Sequence, residues 1–145
     1  MDRYSYYKIT LDSLSNISNE KNKKELTNIA SCVAVIQFAG LFQKDSMKDV
    51  KDKPDVKIQK ARLQLFYKIL FDLNKKAENL EGYDKFNFED NENYFAKKYS
   101  ESLVKLDIDS RMDAIIRDSI QCSTVVDVDL AKELNTIEIK FKYIN

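Results

Sequence analysis

The segment Val126-Asp127-Val128-Asp129-Leu130-Ala131-Lys132-Glu133-Leu134-Asn135-Thr136-Ile137-Glu138-Ile139-Lys140-Phe141-Lys142-Tyr143 decides how the chain is read. Val126, Val128 and Leu130 alternate with polar residues, and so do Ile137, Ile139, Phe141 and Tyr143. Period two in β-branched and aromatic residues predicts strands, and Lys132–Asn135 falls between them as a turn. A hairpin with one apolar and one polar face is the expectation.

Working outward, residues 4–11 alternate in the same way. Ser5, Tyr7, Ile9 and Leu11 share one face; Tyr4, Tyr6, Lys8 and Thr10 share the other. This predicts a first strand that pairs with the hairpin. Between the strands, helical periodicity takes over. Leu26, Ile29, Val33, Ile36 and Gly40 form one stripe of a first helix, about residues 20–42, whose second half is apolar nearly all round. A buried strand within 29–38 is the competing reading. Residues 43–55, alternating in charge from Lys44 to Lys53, predict a solvated, mobile loop. Pro54 and Gly82 bracket a second helix, about 55–80, striped by Ile58, Ala61, Leu65, Ile69, Leu73, Ala77 and Leu80. A third helix, about 90–106, aligns Phe95, Tyr99, Leu103 and Leu106. A fourth, about 110–121, aligns Met112, Ile115, Ile116 and Ser119, with Asp107 or Asp109 as its cap. The expected fold is α+β: about four helices packed on a small antiparallel sheet formed by an N-terminal strand and a C-terminal β-hairpin, in a single domain of residues 1–145.

Composition removes whole classes of chemistry. The 145 residues include no His, which excludes Ser-His-Asp and Cys-His relays and the usual zinc sites. Gly40 and Gly82 are the only glycines, so no Gly-rich phosphate loop exists and no nucleotide cofactor is expected. As a pair Cys32 and Cys122 could form one disulfide, but they are too few for a disulfide-dense secreted scaffold. They are expected to be reduced, inert core thiols in a cytoplasmic protein. Residues 1–7 have no signal-peptide character, and the apolar run 29–42 falls short of the ~20 residues of a membrane span. No membrane partner is expected. Abundant Lys, Asn and Ile with no Trp fit an AT-rich coding sequence, as in low-GC bacteria or their phages.

Basic and acidic residues balance at 24 each. The basic clusters Lys21/Lys23/Lys24, Lys57/Lys60/Arg62, Lys97/Lys98 and Lys140/Lys142 each have acidic neighbours. Such faces are more naturally solvated than phosphate-binding, so nucleic acid is possible but not the favoured partner. Asp107 and Asp109 do not open an EF-hand, because Arg111 and Met112 stand where a ligand and Gly are required.

One constellation carries possible catalysis. Asp127 and the run Glu138-Ile139-Lys140, placed on the polar face of the expected hairpin, resemble the D…(D/E)-x-K core of the PD-(D/E)xK nucleases. The resemblance implies a Mg²⁺ held by Asp127 and Glu138, with Lys140 orienting the attacking water. The plainer reading is a solvated sheet face with cross-strand ion pairs.

The favoured expectation is therefore a non-enzymatic protein-interaction module: an assembly, adaptor or inhibitor protein that forms a homo-oligomer. Without cofactor or metal, its binding surface would use Tyr4, Tyr6 and Tyr143 on a sheet edge and Phe38 and Leu41 on the first helix. Tyr is enriched at interfaces, and an open edge strand can accept another.

Overall fold

The computed structural model describes residues 20–48 and 53–142. Five helices run in order: α1 Glu20–Ser46, α2 Lys53–Glu78, α3 Phe88–Val104, α4 Ile108–Ser123 and α5 Leu130–Lys142. Short 3₁₀ turns, Tyr83–Lys85 and Thr124–Val126, precede α3 and α5. There is no strand among the described residues, so the fold they form is all-α and the expected α+β sheet is absent from it. The expected first strand, with Tyr4 and Tyr6, lies outside the described residues, as does Tyr143.

The hairpin expectation fails for a reason visible in the same residues. Leu130, Leu134, Ile137 and Phe141 recur at i, i+4, i+7 and i+11, one stripe of a 3.6-residue helix. In α5 these four are buried or half-buried, while Ile139, which should share a strand face with Ile137, is exposed. Asp129 starts the helix: its carboxylate accepts from the Lys132 N–H at 3.2 Å. The supposed turn Lys132–Asn135 contains neither Gly nor Pro, and its residues continue the helix instead.

α1 is the centre of the fold and contacts α2, α3 and α4. Leu26, Ile29, Ala30, Val33, Ala34, Val35 and Ile36 are all sealed from solvent, so the helix is covered all round here and residues 29–38 are helix, not strand. At 27 residues α1 is long and apolar enough to cross a membrane by length and composition, which the expected 29–42 run was not; two thirds of its most apolar window (67%) is buried against the other helices. α2 follows its predicted stripe, with Ile58, Ile69, Leu73 and Ala77 buried, and it also carries α5. Gly82, at φ 97°, makes the left-handed turn after α2 that a side chain would strain.

Hydrogen bonds fix the joints. Asp107 accepts from the Ser110 N–H at 2.8 Å and caps α4, as expected. Arg111 Nε, one turn on, donates to Leu103 O and Leu106 O, both at 2.8 Å, closing the C-terminus of α3. Buried Asn91 Nδ2 donates to Phe86 O at 2.7 Å and pins the connector before α3.

The cysteines are not free thiols. Cys32 on α1 and Cys122 on α4, 90 positions apart in sequence, form a disulfide with Cα atoms 5.3 Å apart. Both sit in the core, Cys122 fully covered. Two isolated thiols carry no signal for this pairing; only the packing of α1 on α4 brings them together.

Candidate interaction surface

The C-terminal end of α1, at Leu41, and the neighbouring side of α2 build an apolar surface. Leu41 is 59% exposed, Tyr67 51% and Phe71 61%. Tyr67 and Phe71 are one helical turn apart, and Tyr67 shares with Gly40 and Leu41 the wall of a depression of about 280 Å³. Its floor is Ile36, Phe66 and Leu70. Gly40 contributes no side chain: a Cβ there would stand 3.9 Å from Tyr67 Cε1, an ordinary contact, so a methyl would fit and would take up part of the depression.

Two cations near this surface are engaged within the chain, while Lys44 is exposed and lines the depression itself. Lys68 pairs with Asp72 at 2.9 Å and Lys75 with Glu78 at 3.4 Å. Lys75 Nζ also stands 5.5 Å from the centre of the Phe71 ring. A second line of exposed apolar side chains, Ile108, Met112 and Ile116, runs along α4.

The expected site residues separate. Leu41 belongs to the surface. Phe38 turns away from it: half-buried, it meets the Tyr99 ring edge-on at 5.5 Å between centroids, and Tyr99 Oη donates to Asp118 Oδ2 at 2.8 Å. Tyr67 and Phe71 were missed because α2 was read only for its inward stripe; their signal was large aromatic residues at i and i+4 off that stripe.

The nuclease-like constellation does not assemble. Asp127 occupies a left-handed turn, φ 59°, before α5, and Glu138 and Lys140 both lie on α5. Two residues apart on a helix they project about 200° from each other, and Glu138 faces Lys142 at 3.7 Å. The arrangement needed two facing strands, so these residues do not fit a Mg²⁺ site of that kind. Among the described residues no cluster of three acidic, His or Cys side chains could hold a metal.

The basic clusters are similarly dispersed. Lys23 is buried and lies 4.0 Å from Glu20, Lys98 lies 3.7 Å from Glu101, and Arg62 lines a cavity. Among the described residues Glu92 is the one acidic group pushed above its ordinary range: partial burial disfavours its charge, while Gln37 Nε2, donating at 2.6 Å, offsets part of the effect and Glu89 adds to it.

No protein-family model, curated protein or solved structure matches this chain.

Proposed function

We propose that the protein is a non-enzymatic interaction module that pairs with a second copy of itself through the α1–α2 face. The observation that carries this reading is the joint exposure of Leu41, Tyr67 and Phe71 beside a depression floored by apolar side chains. Aromatic residues anchored in pockets supply most of the energy at interfaces. Lys68 and Lys75 pair within the chain, so Lys44 is the one cation lining the depression, too little charge to favour phosphates over an apolar partner. An apolar, near-neutral patch is complementary to its own copy, as a two-fold interface requires. Zero formal net charge over the whole chain removes the repulsion that would oppose pairing.

The buried Cys32–Cys122 bond supports folding in an oxidising compartment over the reducing cytoplasm expected from two lone thiols.

Sedimentation equilibrium tests the reading. The protein is expected to be a concentration-dependent dimer, and Leu41→Asp with Phe71→Asp is expected to give monomers of unchanged circular dichroism. A protein that stays monomeric at the highest soluble concentration, or a double variant that still dimerises, overturns it.

A further inference from the structure

Among the described residues three buried polar side-chain atoms lack a hydrogen-bond partner, and two of them, Arg62 Nε and Ser119 Oγ, belong to residues that line the same cavity. This cavity measures about 280 Å³ and is framed by α1, α2, α4 and α5. It is distinct from the α1–α2 depression, with which it shares only Phe66. Its wall is otherwise mainly apolar, with Phe42, Ile115 and Leu130 among its members. Gln43 and Gln59 also line it, but they hydrogen-bond to each other. Arg62 makes no ion pair with any described residue, and Ser119 is 1% exposed.

A guanidinium keeps its charge in any protein setting, and an unpaired buried donor is costly. Ser46 also lines the cavity, but its hydroxyl donates to Phe42 O. A cavity that leaves one cation and one unpartnered hydroxyl in a mainly apolar wall complements a molecule with one anionic head and an apolar body. Arginine meets a carboxylate through two parallel N–H···O bonds, a geometry lysine does not offer. The size lies just under the ~300–1,000 Å³ of drug-sized ligand pockets, which favours a short ligand. We propose that this cavity binds a medium-chain aliphatic monocarboxylate, with the carboxylate on Arg62 and Ser119 and the chain against Phe42, Ile115 and Leu130. The site is independent of self-association through Leu41, Tyr67 and Phe71.

Octanoate is the probe, and octanol of the same chain length is the control. Titration calorimetry is expected to show saturable binding of one octanoate per chain, with octanol bound more weakly. Arg62→Met keeps the apolar stem and removes the charge; it is expected to weaken octanoate roughly tenfold to a hundredfold and leave octanol unchanged. In the unaltered protein, methyl NMR signals of Ile115 and Leu130 are expected to shift with octanoate, a readout that does not depend on the variant folding. The proposal is overturned by no saturable binding at millimolar octanoate, by equal affinity for octanol, by an Arg62→Met protein that binds octanoate as before, or by shifts confined to residues away from the cavity.

Discussion

Cys32 and Cys122 are bonded across the contact of α1 with α4, tying the most buried helix to one 90 residues further along the chain. Such a link restricts the unfolded chain far more than the folded one. Chain-entropy reasoning for a loop of this length gives on the order of 4–5 kcal/mol of stabilisation. Replacing both residues by Ala is expected to lower the urea midpoint by a corresponding amount, with some added loss from the emptied core volume. The denatured, unreduced protein is expected to show no titratable thiol; two thiols per chain would remove the bond from the account.

The α5 segment gives a sharper test of the fold, because helix and hairpin assign opposite roles to neighbouring residues. In the helix Leu134 faces the core and Ile139 faces solvent. Leu134→Asp is expected to cost several kcal/mol, since it places a carboxylate in a half-apolar contact. Ile139→Asp is expected to change stability by under ~0.5 kcal/mol, as exposed substitutions usually do. In a hairpin Ile139 would share the apolar face with Ile137 and its replacement would be the damaging one. Urea unfolding of the two variants therefore separates the structures.

How far the sequence discloses this fold depends on whether one period or two fits each segment. In α2 the residues Ile58, Ile69, Leu73 and Ala77 fit only a helical stripe, and all four are buried. In α3 the same holds for Phe95, Tyr99 and Leu103. Residues 130–142 satisfy both periods, since Ile137, Ile139 and Phe141 alternate while Leu130, Leu134, Ile137 and Phe141 recur helically. Local pattern cannot choose between them; packing on α2 does. The disulfide joins residues 90 positions apart and one cavity is lined by both Arg62 and Ser119, 57 positions apart, and no local spacing encodes such a meeting. Leu41 was legible because it extends an apolar run beyond what one core can cover.

The half-buried carboxyl of Glu92 sets a pH dependence of definite sign. Its folded-state pKa is raised above the ordinary 4.5 by burial, with the Gln37 hydrogen bond opposing and Glu89 reinforcing. A raised carboxyl favours the protonated form in the folded protein. Its stabilising contribution is complete below pH 4.5 and is lost as pH rises through the raised value. Asp107 runs the other way: hydrogen bonds from Ser110 lower its pKa from 3.8, so its contribution is present above that value and is lost as acid protonates it. Glu92→Gln keeps an acceptor for Gln37 and removes the charge. It is expected to be more stable than the unaltered protein at neutral pH and to match it in acid, as followed by denaturant midpoints across the pH series. A constant difference at every pH would contradict the assignment.

Gly40 links stability to association in opposite directions. It lies inside α1, where Gly costs a helix roughly 0.5–1 kcal/mol relative to Ala. Nothing in the structure forbids the methyl, since its nearest neighbour, Tyr67 Cε1, would be 3.9 Å away. Gly40→Ala is therefore expected to stabilise the monomer by about that amount. The same methyl occupies part of the depression beside Leu41, so a partner side chain seated there loses its room. Pairing measured by sedimentation is expected to weaken while the thermal midpoint of the monomer rises. A variant that gains stability and pairs as well as before would mean that the second copy does not enter this depression, and the interface would have to be sought along Ile108, Met112 and Ile116 instead.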